Sequence, residues 1–93
     1  MRILITGSRK GIGRFLAETF LQRGHVVFGC RSDSVIRLIR SIGKSHGGID
    51  ILINNAGIAS MNHILSTPAN TVKNLMDTNF TGTVLFCREV AKL

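Results

Sequence analysis

Short apolar runs alternate with segments of helical period along this chain. The run "RILI" from Arg2 to Ile5 is followed by a glycine-rich bend, and a continuous β-branched and leucine run reads as a buried strand. From Ile12 the residues Phe15, Leu16 and Phe20 recur at helical spacing, and Arg23 with Gly24 supplies the stop. "HVVFGC", His25 to Cys30, predicts a second buried strand. In "SVIRLIRSIGKSHGG" the residues Val35, Leu38, Ile39 and Ile42 fall at i, i+3, i+4 and i+7, with Arg37, Arg40 and Lys44 on the other side. That pattern predicts an amphipathic helix.

"DILIN", Asp50 to Asn54, predicts a third buried strand running into "NNAG". The "STP" that ends at Pro68 then combines a capping hydroxyl with a first-turn proline, and the segment to Leu93 reads as one long helix. That helix carries two apolar stripes, Val72, Leu75 and Met76 on one side, and Phe80, Val84, Cys87 and Ala91 drifting to another. So wide an apolar surface calls for a partner beyond the helix's own sheet, and homo-oligomerisation through residues 69–93 is expected. Alternating strands and helices predict an α/β domain with a parallel sheet, spanning residues 1–93.

Composition adds a boundary and a sign. Ninety-three residues suit one small domain, and 44% hydrophobic content with ten glycines and one proline predicts folding. The net charge of +7 favours anionic partners. Its cations are scattered singly and the five aromatics are all Phe at apolar positions, so no nucleic-acid platform is expected. Cys30 and Cys87 lack CxxC spacing and read as small buried hydrophobes in a reducing compartment, while His25, His46 and His63 are unpaired by spacing, so no metal is expected. No apolar stretch approaches the ~20 residues that cross a bilayer, and "ILI" is too short for a signal-peptide core. No membrane association and a cytoplasmic location are the expectation.

The bend itself carries the chemistry. In "TGSRKGIG" a strand stops at a tight glycine turn and enters a helix, which aims backbone N–H groups and the positive end of the helix dipole at one point and so attracts phosphate. Gly7 permits the sharp turn, Gly11 allows close approach of a pyrophosphate, and Gly13 lets the helix sit tightly on the strand. The spacing G-x-x-x-G-x-G is neither G-x-G-x-x-G nor a Walker loop.

Together "TGSRKGIG", "DILINNAG" and "TNFTGT" resemble, in order and over nearly the whole chain, the short-chain dehydrogenase/reductase family. The resemblance implies a Rossmann-like three-layer sandwich, and it implies that Gly7, Ser8, Arg9, Gly11, Ile12 and Gly13 line a dinucleotide's phosphates. It further implies that Asn55, Ala56 and Gly57 border the adenosine ribose. Asn79 is then the asparagine of an Asn-Ser-Tyr-Lys tetrad, supporting a water-linked proton relay, and Asp50 has a structural role.

At the end of the second strand, an acid suits the ribose 2′-hydroxyl of NAD and a cation suits the 2′-phosphate of NADP. Here Arg31 follows "FGC", with Ser32 beside it and Arg9 and Lys10 in the loop, while Asp33 is the more distant competing acid. The planar guanidinium can donate two bonds to a phosphate, so NADP(H) is expected over NAD(H).

Two family parts are missing. Between Arg31 and Val35 roughly 25 residues, an edge strand of ~5 and a helix of ~12 with their loops, are omitted, leaving strands in the order 2-1-4 of the family's numbering. The chain also contains no tyrosine, so Lys73 and Lys92 have no phenol to activate. It is read as a truncated, internally shortened oxidoreductase of this family, acting on a carbonyl or alcohol in its full-length relatives and inactive alone. The alternative is a non-catalytic NADP(H)-binding or dimerisation module.

Overall fold

The computed structural model describes residues 1–30, 35–57 and 64–93. Strand β1 (Arg2–Ile5) leads through the glycine bend to α1 (Gly11–Gln22), β2 (Val26–Gly29), α2 (Val35–His46) and β3 (Ile51–Ile53). After a 3₁₀ turn at Ile64–Ser66 come α3 (Ala69–Met76), a π-helical stretch at Asp77–Thr81 and α4 (Gly82–Ala91). Among the described residues the strands form one parallel sheet in the order β2-β1-β3. The α/β expectation and the central place of the first strand are therefore both met.

Register explains the layers. Leu4 lies beside Phe28 and Leu52, while Ile3 lies beside Val27 and Ile51. Alternation along a strand sends these two rows to opposite faces. On the Leu4 face, Leu4, Ile39, Ile42 and Phe86 form the buried core, so α2 and α4 cover that side together. The α2 face read from spacing is confirmed, with Ile39 and Ile42 buried and Arg37, Arg40 and Lys44 outside. Helix α1 packs on β2 and forms the third layer.

Only β1 is the buried strand that the sequence predicts, with Ile3, Leu4 and Ile5 fully enclosed. Both of its neighbours sit at sheet edges and are half-buried, Val26 being 44% and Ile51 37% exposed. An apolar run does not distinguish an edge from a centre. The apolar stripe of α1 is also partly open, since Ile12 and Phe15 are 71% and 67% exposed.

Three details at the last helix differ from expectation. Pro68 is the N-cap of α3, extended at φ −64° and ψ 148°, rather than a first-turn residue, because the ring's preset φ fits either place. The predicted single helix changes hydrogen-bond register at Asp77–Thr81. Cys87 is exposed rather than buried, since the core side of α4 carries Phe86, Glu89 and Val90, and one residue turns the chain by about 100°. Glu89 is buried as a carboxylate held by Arg88 Nε at 2.8 Å and Lys92 Nζ at 2.9 Å. Those two hydrogen-bonded cations, Lys92 first, hold its carboxyl below the ordinary range.

The sheet is clamped at its entry end. Asp50 accepts from the Arg2 backbone N–H at 2.7 Å and from Arg2 Nε and Nη2 at 3.1 and 3.0 Å, while Arg2 Nη1 donates to the His46 carbonyl at 2.8 Å. One arginine thus ties β1 to the end of α2 and the start of β3, which is the structural role expected for Asp50. The Arg2 side chain, then its backbone N–H, draws the Asp50 carboxyl down to about 2. Because the folded value is depressed, this contribution to stability is present above about pH 4 and disappears as pH falls toward 2. Acid titration of the melting temperature should show a loss over that interval, and Asp50→Asn should flatten it.

Candidate functional site

The glycine bend and the end of β3 are joined by one hydroxyl. Thr6, 3% exposed, accepts hydrogen bonds at Oγ1 from the backbone N–H of Asn55 at 3.0 Å and of Ala56 at 2.9 Å. The Asn55 side-chain amide returns the contact, donating to the Gly7 carbonyl at 3.1 Å. Two loops 48 residues apart in sequence are thereby one rigid floor.

Each glycine of the bend meets a different constraint. Gly7 has φ +67°, and a Cβ there would lie 3.0 Å from the Ala56 Cα. At Gly13 a Cβ would stand 2.2 Å from the Gly7 carbonyl oxygen and 2.5 Å from Asn55 Nδ2, so helix α1 begins in direct contact with the turn. Gly11 is the opposite case. Its φ is +62°, yet a Cβ would meet nothing within 4 Å. The conformation is that of glycine while the adjoining space is open, which is what close approach by a ligand requires.

Lys10 caps α1 in extended conformation without a side-chain hydrogen bond to the first turn. The opening N–H groups of a helix have no intrahelical acceptor, and they carry the positive end of its dipole. This amide front stands beside a cleft of about 570 Å³. Thr6, Gly7 and Arg9 form its loop wall, Cys30 and Val35 come from the end of β2 and the start of α2, and Asn54 and Ala56 follow β3. Thr78, Gly82, Thr83 and Phe86 close it from the last helix. Among these lining residues the one charge is the Arg9 guanidinium. A phosphate-bearing ligand with an apolar ring fits that distribution.

The residues singled out in sequence divide by position. Gly7, Arg9 and Ala56 line the cleft; Lys10, Gly11 and Ile12 are exposed at the front of α1; Gly13 is buried beneath the turn. Ser8 leans over β2, its Oγ 2.6 Å from where a Gly29 Cβ would be. Gly57 and Asn79 come together, for a Cβ on Gly57 would lie 3.4 Å from Asn79 Oδ1. Arg31 and Ser32, which carry the cofactor preference, lie outside the described residues.

Several lining residues have no site role in the sequence reading. Thr6 stood within the quoted motif without a role, although a threonine ending a strand before a glycine turn is a ready acceptor for neighbouring amides. Val35 and Phe86 read in sequence as apolar helix residues, Cys30 as a small hydrophobe, and Thr78 and Thr83 as parts of "TNFTGT", none of them as cleft lining; Asn54 also donates to Cys87 Sγ at 3.5 Å. Neither Cys30 nor Cys87 is in a disulfide. Among the described residues no helix is long and apolar enough to cross a membrane.

Known proteins share this arrangement. The profile of the short chain dehydrogenase family matches residues 30–93. The 3-ketodihydrosphingosine reductase of Bacteroides thetaiotaomicron is 31% identical over 107 aligned positions, covering 95% of this chain and 40% of that protein. The solved aldohexose dehydrogenase of Thermoplasma acidophilum, in ligand-free form, is similar at a TM-score of 0.91 and 27% identity, over 98% of this chain and 43% of its own. A gluconate 5-dehydrogenase from Burkholderia cenocepacia, solved with NADP and tartrate, gives 0.78 and 26%, over 98% and 47%. The chain thus spans less than half the length of each. Since 95% of 93 residues is about 88, about 19 of the 107 positions aligned with the reductase have no residue here, in keeping with internal shortening.

The stitched floor makes two mutations informative. Thr6→Val removes the acceptor of two part-buried N–H groups and should cost about 1 kcal/mol or more in chemical denaturation. Gly13→Ala forces a methyl into the Gly7 carbonyl and should cost at least as much, about 1–3 kcal/mol or more, seen as a lowered melting temperature.

Proposed function

Since the chain belongs to the short chain dehydrogenase family, we propose that its cleft takes a nicotinamide dinucleotide and that the chain is the cofactor-holding part of an oxidoreductase acting on a carbonyl or alcohol. The observation that carries this reading is Gly11, a positive-φ residue with open space before it at the front of α1, beside a cleft whose charge is Arg9. On this reading the amides from Gly7 through Gly13, with Ser8, Arg9, Lys10 and Ile12, hold the diphosphate. Asn55, Ala56 and Gly57 border the ribose, and Asn79 orders the water of a proton relay. When bound, the nicotinamide supplies the hydride carrier.

NADP(H) is the proposed cofactor in preference to NAD(H). Arg31 with Ser32, next in sequence after "FGC", would supply a forked cation for the 2′-phosphate, and the NADP held by the gluconate 5-dehydrogenase lends support from a similar fold. A reducing cytoplasmic setting accords with two cysteines outside any disulfide.

The 93 residues include no tyrosine, so turnover on the family's pattern needs a phenol from outside them. The second reading is a binding module that senses NADP(H) or pairs with another chain, favoured by the open apolar side chains of the last helix. The pairing surface would be the helix over residues 69–93, where Val72, Met76, Phe80 and Val84 are all exposed. Neither nucleic acid nor a membrane is a partner on either reading.

Calorimetry with each coenzyme tests the proposal. NADPH should bind about tenfold or more tightly than NADH, since hydrogen bonds to a charged group contribute about 1.5–3 kcal/mol. Arg31→Ala should erase most of that difference, and Gly11→Asp should abolish binding of both coenzymes with the circular dichroism spectrum retained. Folded protein that gives no heat with either coenzyme would refute the reading. Purified alone, the chain should reduce no carbonyl substrate.

A further inference from the structure

The last helix never stops between α3 and α4. Asp77 and Gly82 both keep right-handed helical dihedrals, φ −62° and ψ −42°, φ −57° and ψ −45°. Yet the Gly82 N–H reaches back five residues to the Asp77 carbonyl, and Asp77–Thr81 is π-helical. Such a turn holds one residue more than an α turn, is rare, and frequently occurs at functional sites.

Gly82 is the residue on which this widened turn closes. A Cβ there would lie 3.1 Å from the Asp77 carbonyl oxygen, the acceptor of Gly82's own N–H. That is tighter than nine in ten real Cβ contacts, so a methyl there presses on the carbonyl that closes the π register. In an ordinary α-helix interior the preference runs the other way, alanine being favoured over glycine.

Core packing decides which side of the insertion moves. Phe86 belongs to the buried cluster with Leu4, Ile39 and Ile42, and Val90 packs against that cluster, so α4 is held in place. Removing one residue from the π stretch would therefore act upstream. It would rotate the preceding turns by about 100° and draw them along the axis by about 1.5 Å. Asn79, now with its Oδ1 against Gly57, would swing away from the segment that follows β3.

We infer that Gly82 is a positioning residue: by lacking a Cβ it admits one extra residue into the helix, and that residue aims Asn79 at Gly57 on the rim of the cleft. The functional consequence rests on the dinucleotide reading, but the geometry does not.

Nuclear magnetic resonance on the whole chain, with melting temperatures of the unaltered chain and three variants, tests it. The unaltered chain should show a nuclear Overhauser contact between the Gly57 α-protons and the Asn79 side-chain amide. Deleting Thr81 should return the helix to α register and abolish that contact while the shifts of Ile3, Leu4 and Ile5 hold. Gly82→Ala should lower the melting temperature of the unaltered chain, to the point of unfolding or short of it, and raise that of the Thr81 deletion. That reversal of sign is the signature, because a helix governed by propensity alone gains from alanine in both backgrounds. The inference fails if the contact survives the deletion, if alanine stabilises both backgrounds, or if the deletion variant does not fold. Absence of coenzyme heat in calorimetry would leave this contact untouched, so the two readings fail separately.

Discussion

The Thr6 hydroxyl, buried and accepting from two consecutive backbone amides, is the constraint on which the site depends. Without it the N–H groups of Asn55 and Ala56 would lose their acceptor just past the end of β3, and the glycine bend would have no floor. With it, the Asn55 side chain is placed under the Gly7 carbonyl, and α1 must start so close that only glycine fits at position 13. Close approach, in turn, puts the front of the helix next to Gly7 and Arg9, which line the cleft. One hydrogen-bonded residue therefore links the central strand, the turn and the amide front in a single geometric chain.

Local pattern carried most of the architecture. The α2 face, the strand at Arg2–Ile5 and the bend into α1 were legible because periodicity and glycine placement are local physical requirements. What the pattern left out was relational. Val26 and Ile51 look as apolar as Ile3, but burial depends on neighbours supplied by the topology, and each of their strands has a partner on one side. The π stretch was invisible for a similar reason. Residues 77–81 have no sequence mark of a widened turn, and the change of register becomes apparent only where Gly82 meets the Asp77 carbonyl.

The candidate site was legible in part. The three glycines of the bend have the separate steric duties that spacing assigns them: a turn at Gly7, open space at Gly11 and helix contact at Gly13. The wall that faces them was not. Cys30 and Val35 reach the cleft because β2 passes to α2 with few residues between, and Thr78, Thr83 and Phe86 reach it because α4 lies across the same end of the sheet. Those positions depend on the packing of three elements, which no single segment encodes.

The flanks of the sheet have a further consequence. Among the described residues β2 and β3 each pair on one side with β1, which leaves a row of N–H and C=O groups on the other. Parallel strands with open flanks are templates on which any extended peptide can add itself. What comes to lie along those two rims therefore bears on the colloidal behaviour of this protein alongside its +7 charge.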